Sequence, residues 1–373
     1  TPEVLEASIA LGGSSISDYR DGEGRQRSRS FALKADAVRF LALVQADLLR
    51  GSYLDPGRSR TALSVYARQW LESLAVRPTT RLVYDSHLRT WILPALGARP
   101  LISITPTDVR LLVRQLREQL APSTALHVHG LLSSILRAAV EDGYLIRNPA
   151  ARTAPPRPRR PALRPLTVQQ VQALLDAIPD RYRVAVLLGA GCGLRIGEVL
   201  GLTVNAIDLD ARELTVAWQL QALPGQRPTL QPPKSDSSIR TVPLPDTVAA
   251  AIHDHLHRWP ITGGGPGPAL LIRTVTGRPV WRRSFHSDIW QPTATAAGLP
   301  GVRFHQLRHF YASALIHAGE NVKTVQAALG HASAVETLQI YVGLWPEHQA
   351  RTRAAIDTLN LQSTPTSHWS SSG

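Results

Sequence analysis

The stretch NPAARTAPPRPRRPALRP, residues 148–165, divides the chain more firmly than any other feature of its sequence. Its prolines lack the backbone N–H that a helix requires, and its five arginines favour an extended, charged segment. Since 373 residues are too many for one ordinary core, we predict separate domains on either side, with residues 151–165 as the linker. The linker either lies along a polyanion or is a flexible spacer without contacts.

The chain is strongly basic, with a formal net charge of +13. This charge favours a phosphate backbone or an anionic membrane surface as the partner, although an arginine-rich composition alone would also produce it. The only lysines are Lys34, Lys234 and Lys323, so a lysine is informative here. The single cysteine, Cys192, excludes a disulfide framework. No apolar run approaches the length of a membrane span, and we expect a cytoplasmic protein.

Residues 1–56 are expected to form a small basic module. The segment DYRDGEGRQRSRSF, residues 18–31, has a turn signal between two short polar strand candidates. The following KADAVRFLALVQADLLRG has apolar residues at helical spacing and ends at Gly51. The pattern predicts a hairpin backed by one helix, which either binds a ligand or is simply solvated.

Residues 57–150 have a purely helical pattern, which predicts a bundle of four or five helices. Thr79, Thr105 and Ser123 are candidate N-caps, and Gly97 and Gly143 are candidate helix ends.

Residues 166–361 mix helices with short strands. LTVQQVQALLDAI predicts a helix capped by Thr167, and ELTVAWQL, SIRTVPLP and PALLIRT are strand candidates before a run of helices. This order predicts an α+β domain, mainly helical with a small antiparallel sheet. The Ser-rich tail, residues 362–373, is expected to be disordered.

Arg195, in GCGLRIGEVLGL, stands inside an otherwise apolar segment. Because an unpaired buried guanidinium is costly, it requires an anionic partner. Glu198 lies three residues later and could hold the guanidinium while its fork faces a phosphate or carboxylate. A purely structural Arg–Glu pair is the alternative.

Lys234, in QPPKSDSSIRTVPLP, lies in a turn between two strand candidates. An exposed hairpin lysine is usually just solvated. The rarity of lysine in this arginine-dominated chain weakens that interpretation, and a proton-donating role would require lysine, because it can release a proton where arginine cannot.

His305 and Arg308, in FHQLRHFYASALIHAG, lie three residues apart on one helical face. Together they can donate hydrogen bonds to a phosphate while the histidine also moves a proton. A lone His-x-x-Arg pattern is weak evidence, and His309 is a nearby competitor that points about 100° away on the helix.

Tyr341 ends the stretch LGHASAVETLQIY, ten residues after His331. A phenol attacks phosphorus usefully only if cations stabilise the transition state and a base takes its proton. Taken alone, Tyr341 is more simply read as a packed aromatic residue.

The ordered series of these motifs resembles the tyrosine recombinase, or phage-type integrase, family. The resemblance covers about 300 residues, and it rests on GLRIGEVLGL, the hairpin lysine, HQLRHFYASALI, LGHASAVETLQIY and VGLWPEHQARTRAAIDTL. It implies that residues 57–150 bind the core site of the DNA and that residues 1–56 form an arm-site-binding module, truncated at its first strand. It also implies that residues 166–361 form the catalytic domain.

The resemblance further implies a role for each motif. Arg195, His305 and Arg308 would bind and activate the scissile phosphate, with Glu198 in the family's supporting acidic position. Lys234 would be the general acid for the 5′-hydroxyl leaving group. His331 would hydrogen-bond a non-bridging oxygen, and Tyr341 would form a 3′-phosphotyrosyl bond. His305 would also assist proton transfer from Tyr341.

No metal, nucleotide or other cofactor is expected from the resemblance. The sequence contains no phosphate-binding GxxxxGK[ST] loop. His253, His255 and His257 alternate by two, but on a helix they do not share a face, so a metal site is the weaker interpretation.

The expected activity is therefore site-specific integration or excision of a phage or mobile element. The resemblance implies a homotetramer on double-stranded attachment sites, an accessory directionality factor or DNA-bending protein, and association with the bacterial nucleoid when DNA is bound. The last helix, in residues 347–359, would dock on a neighbouring subunit or pack on its own domain. A chromosome-dimer-resolving recombinase, a non-catalytic DNA-binding regulator and a topoisomerase are the alternatives.

Overall fold

The computed structural model describes residues 6–9, 15–20, 25–49, 60–156, 163–233, 236–261 and 269–341. The chain divides into two units, residues 1–160 and 161–373, and the division falls within the proline-rich segment. The architecture is mainly helical with small antiparallel sheets, which confirms the predicted fold class. The predicted last helix at residues 347–359 and the tail at 362–373 lie outside the described residues.

The first unit begins with a three-stranded antiparallel sheet in the order β1-β2-β3, backed by one helix. The elements are β1 (Glu6–Ile9), β2 (Ser15–Arg20), β3 (Gln26–Phe31) and α1 (Lys34–Leu49). Strands β2 and β3 are the predicted hairpin, whereas the sequence patterns did not predict β1. Tyr19, Leu41 and Val44 form a small buried core between sheet and helix.

A helical bundle follows, built around a separate core. Its helices are α2 (Leu63–Ser73), α3 (Pro78–His87), α4 (Pro106–Gln119) and α5 (Pro122–Glu141). Helix α3 continues through a π-helical turn, Leu88–Ile92, into Leu93–Leu96. The core is lined by apolar residues of all these helices, among them Leu63, Ile92, Leu116 and Leu132.

Local capping fixes where these helices begin. Thr105 caps α4 as predicted, because its side chain accepts from the Asp108 N–H while Asp108 accepts from the Thr105 N–H. The predictions of Thr79 and Ser123 as N-caps were wrong. Helices α3 and α5 start two residues earlier, each with proline at its first position, where the missing N–H is not needed.

The second unit opens with three helices and a small sheet. The helices are α6 (Val168–Ala177), capped by Thr167 as predicted, α7 (Arg183–Gly191) and α8 (Ile196–Leu200). An antiparallel sheet in the order β4-β5-β8 is formed by β4 (Ile207–Asp208), β5 (Glu213–Val216) and β8 (Arg240–Pro243). Strands β6 (Gln219–Gln221) and β7 (Thr229–Gln231) form a separate antiparallel pair.

Five further helices complete the second unit as described. They are α9 (Asp246–Arg258), α10 (the consecutive segments Arg282–Ser284, Phe285–Trp290 and Gln291–Ala296), α11 (His305–His317), α12 (Val322–Leu329) and α13 (Ala334–Tyr341). The predicted strand PALLIRT was wrong, since its described residues, 269–274, form isolated bridges from Leu270 and Arg273 rather than a strand. Within the described part of the chain, no helix is both long and apolar enough to cross a membrane.

Candidate active site

Arg195 stands at the start of α8, immediately after a tight turn. Gly193 makes that turn with φ of +65°, and a Cβ there would collide with the ring of Tyr311, so glycine is required. Glu198 accepts hydrogen bonds from the Arg195 backbone N–H and from its guanidinium, both at 2.9 Å. The Arg195 side chain remains 35% exposed, so its fork is held by Glu198 yet accessible to a ligand.

Glu198 also pairs with a second arginine, Arg240 of β8. The Arg240 guanidinium donates to both carboxylate oxygens, at 3.0 and 3.3 Å, and the two side chains are only 5% and 4% exposed. Burial raises the pKa of Glu198, but the charge and hydrogen bonds of Arg240, and then of Arg195, outweigh it and hold that pKa below its ordinary value. Glu198 is therefore an ionised link between two guanidinium groups.

Sequence reasoning missed Arg240, although a signal was present. In SIRTVPLP, Arg240 alternates with Val242 and Leu244, both of which are buried, so strand periodicity places its side chain on the inward face. Arg240 also donates to the carbonyl of Ala328 at 2.9 Å, just before the end of α12. One buried arginine thus connects α8, β8 and α12.

Arg308 of α11 lies at the centre of this arrangement and is 1% exposed. Its guanidinium donates to the carbonyl of Gly193 at 2.8 Å and to the carbonyl of Leu329. These bonds fix the guanidinium between the turn before α8 and the end of α12. Burial, and then the charge of Arg195, lower the pKa of Arg308, but a guanidinium stays protonated at neutral pH.

Gly330 and His331 form the turn after α12. Gly330 has φ of +61°, and a Cβ there would lie 3.0 Å from Cδ of Arg240, so this glycine also allows a close approach. His331 is 5% exposed and its Nδ1 lies 2.8 Å from Oγ1 of Thr337. Burial, and then the charges of Arg308 and Arg195, lower the pKa of His331 to about 3, so this imidazole is neutral near pH 7.

His305 begins α11 and is exposed, in contrast to His331. Partial desolvation, and then the neighbouring His309, Arg308 and Arg195, lower the pKa of His305 to about 4. His305 therefore lies within the positive field of Arg308 and Arg195.

Tyr341 ends α13 and is 1% exposed. Its hydroxyl lies 2.6 Å from Nδ1 of His309, and the two rings meet edge to face with centroids 5.5 Å apart. The ring of His309 in turn meets that of His305 at 4.7 Å. Sequence reasoning judged that His309 pointed away, but positions i and i+4 share a helical face, so its spacing from His305 was the signal for this contact.

The structure thus brings five of the predicted residues to one region of the second unit: Arg195, His305, Arg308, His331 and Tyr341. Glu198 supports them, and Lys234 lies outside the described residues. Among the described residues of this region, three guanidinium groups (Arg195, Arg240 and Arg308) against the Glu198 carboxylate leave a formal excess of two positive charges. Such a region favours an anion such as a phosphodiester.

The three alternating histidines of α9 do not form such a cluster. His255 is buried and its Nε2 lies 3.0 Å from the carbonyl oxygen of Leu271, whereas the His253 side chain is 72% exposed. No group of three or more potential ligands suited to a metal ion occurs among the residues that the structure describes.

Known proteins match this chain in both of its units. The sequence model of the phage integrase family matches residues 164–348, and that of the phage integrase central domain matches residues 63–155. A putative prophage phiRv2 integrase of Mycobacterium tuberculosis is 29% identical over 278 residues, which cover 74% of this chain and 72% of that protein. The tyrosine recombinase XerC of Chromohalobacter salexigens is 30% identical, over 62% of this chain and 73% of that protein.

Solved structures have the same fold. The Tn1549 transposon integrase in complex with transposon right end DNA is 23% identical and has a TM-score of 0.70, covering 80% of this chain and 100% of that one. A lambda integrase tetramer bound to a Holliday junction is 20% identical, with a TM-score of 0.54, over 88% of this chain and 93% of that one.

Proposed function

Because this chain belongs to the phage integrase family of tyrosine recombinases, enzymes that cleave and rejoin DNA through a tyrosine intermediate, we propose that Tyr341 is its nucleophile. The observation that carries this assignment is the buried Tyr341 hydroxyl beside an arginine and histidine cluster with a formal excess of positive charge. The activity is site-specific recombination of DNA, as in an integrase.

The cluster supplies what attack on a phosphodiester requires. Arg195 and Arg308 carry fixed positive charges for the non-bridging oxygens, and both are held by hydrogen bonds before substrate arrives. His305 joins them from the exposed start of α11, and His331 donates a further hydrogen bond. Tyr341 Oη then forms a bond to phosphorus, and the 5′-oxygen leaves.

Lys234 is proposed as the acid that protonates this 5′-oxygen. A Lys234→Ala variant is expected to cleave slowly while binding DNA normally. A substrate with a 5′-bridging sulfur should restore its rate, because a thiolate leaves without a proton. A failure of that substrate to rescue the variant would remove the acid role.

The direct test is covalent capture of DNA. The full chain is incubated with a pool of nicked duplexes whose core sequence is randomised, and adducts that survive denaturant are isolated and sequenced. An adduct is expected with the unaltered protein and with Tyr311→Phe, a matched change of a tyrosine in the same unit, but not with Tyr341→Phe. Absence of any adduct, or its persistence in Tyr341→Phe, would overturn the proposal and leave a non-catalytic regulator.

The remaining parts of the chain are assigned by the same proposal. Residues 57–150 bind the core site, residues 1–56 bind a separate arm site through the basic sheet and α1, and residues 151–165 lie on the DNA between domains. Four copies act together on two duplexes, with an accessory protein setting direction. The tetramer and DNA complexes of the structural neighbours support this assembly.

A chromosome-dimer-resolving recombinase is the second candidate, favoured by the likeness to XerC. Deleting residues 1–49 distinguishes the two, because an integrase loses recombination between its natural sites but retains covalent adduct formation at the core. A dimer-resolving enzyme would recombine equally well without this module.

A further inference from the structure

The hydroxyl of Tyr341 is in contact with one particular imidazole. Nδ1 of His309 lies 2.6 Å from Oη of Tyr341, within a region where the tyrosine is 1% exposed. At neutral pH a phenol carries its proton, so in this pair Oη donates and Nδ1 accepts. The accepting nitrogen requires the tautomer of His309 that carries hydrogen on Nε2.

The surroundings of His309 keep it able to accept. Its half-buried ring lies against the ring of His305, and Arg308 is the adjacent residue on the same helix. Burial, and then the charge of Arg308, lower the pKa of His309, so the ring is neutral near pH 7. Its charged neighbours thus favour the neutral, proton-accepting form.

His305 is placed for a different task. It is exposed at the start of α11 and is influenced by the charges of Arg308 and Arg195, the groups assigned to the phosphate. Residues His305 and His309 are one helical turn apart, so His305 can contact the phosphate while His309 contacts the phenol.

We infer that His309, rather than His305, is the general base that accepts the phenolic proton of Tyr341. The inference rests on the proposed function. As the bond from Oη to phosphorus forms, the proton moves to Nδ1 of His309. The bond from phosphorus to the 5′-oxygen breaks, and that oxygen takes its electron pair and a proton from the general acid. In rejoining, the protonated His309 returns its proton to Oη.

The test measures single-turnover cleavage by the full chain of a nicked duplex whose sequence was recovered in the covalent-capture experiment. It compares His309→Ala and His309→Asn with His305→Asn. His309→Ala is expected to cleave about 10²- to 10⁴-fold more slowly at neutral pH, the range for loss of a general base. DNA affinity should stay within about twofold, because His309 does not bind the phosphate. His309→Asn keeps a hydrogen-bond acceptor but not a base, so it should be nearly as slow.

The pH profile separates a base from a merely positioning residue. The unaltered protein should have a rate that is flat above the pKa of His309. Both His309 variants should instead become faster as the pH rises, by up to about tenfold per pH unit, since the phenolate must now form without a base. Added imidazole should accelerate His309→Ala, and the His305→Asn profile should keep the shape of the unaltered one.

Three results would overturn the inference. The first is a His309→Ala rate within about threefold of the unaltered rate, which is far below the loss expected for a general base. The second is restoration of the rate and the pH profile by His309→Asn, and the third is an alkaline dependence in His305→Asn instead of the His309 variants. Should His309→Ala fail to fold, His309→Asn carries the same comparison. These outcomes differ from failure of the proposed function, in which the unaltered protein itself forms no adduct.

Discussion

Replacement of Arg240 by methionine removes every donor of its guanidinium while keeping an apolar side chain of similar reach. Arg240 is 5% exposed and donates to Glu198, to the carbonyl of Ala328 and to the carbonyl of Ser238. The variant leaves Glu198 buried at 4% exposure with Arg195 as its remaining partner. A charge that was shared between two guanidinium groups is then left incompletely neutralised.

The expected loss of stability follows from that burial. Breaking a buried ion pair by removing one partner costs about 3–5 kcal/mol, and since Arg195 still pairs with Glu198 we expect the lower end, about 3 kcal/mol. Adding Glu198→Gln to Arg240→Met should cost less than the sum of the two single changes, by about 1–3 kcal/mol, because the uncompensated charge is gone. Cleavage should also slow, since Glu198 orients Arg195.

Native-state hydrogen exchange measures the effect in each unit separately. Peptides from β5 and β8 should lose about 10²-fold in protection, which corresponds to about 3 kcal/mol. Peptides from α4 and α5 in the other unit serve as an internal reference. Arg258→Met is the matched control, because its pair with Asp180 is 3.8 Å long and both side chains are more than 60% exposed, so its loss should cost less than about 1 kcal/mol. Equal losses in the two variants would refute the reasoning.

The remaining predictions concern single positions, each followed by hydrogen exchange or urea unfolding. Gly330→Ala should destabilise the second unit by about 1–3 kcal/mol, because the backbone is left-handed there and the new Cβ would approach Arg240. Gly298→Ala should cost less, because Gly298 has a similar φ of +73° but open space around it. Acid should weaken the second unit below about pH 6.5, because unfolded histidine binds a proton there while His331, with a pKa of about 3, does not. His331→Gln should flatten that slope, and an unchanged slope would contradict the assignment. Thr105→Ala should cost the bundle about 1 kcal/mol through loss of its capping box, and no change would show that the cap is dispensable.

The parts of the fold that depend on local rules were predictable. Apolar periodicity gave the helices, and the reciprocal side-chain to backbone bonds of Thr105 and Asp108 could be read from their spacing. The wrong N-caps at Thr79 and Ser123 reflect a competing local rule, since proline at the first position starts the helix without a side-chain cap. The prediction of a strand at PALLIRT was wrong for a different reason. Its composition suits a strand, but only tertiary contacts decide whether a partner strand lies beside it.

The residues that the structure brings together were predictable from the sequence, and the residues that support them were less so. Each of these motifs was weak evidence when taken alone, and the roles were suggested only by the resemblance of their ordered series to a known family. The pairing of Arg240 with Glu198 spans 42 residues, and that of His309 with Tyr341 spans 32, so both depend on how strands and helices pack. Strand alternation and helical spacing indicated which face of its element Arg240 or His309 lies on. No local pattern indicates which residue that side chain contacts.

The proposed roles of these residues would connect substrate binding to proton transfer through the electrostatics of the cluster. In the structure, Arg308 helps to keep His305, His309 and His331 neutral, because each loses proton affinity in its positive field. A phosphodiester bound to Arg308 and Arg195 would offset that field, so the proton affinity of all three imidazoles must rise when DNA occupies the site. Under the proposed assignment, His309 would be the weaker base before DNA binds and the stronger base once the scissile phosphate is in place. The same arginines that bind the phosphate would thus also make deprotonation of Tyr341 dependent on its presence.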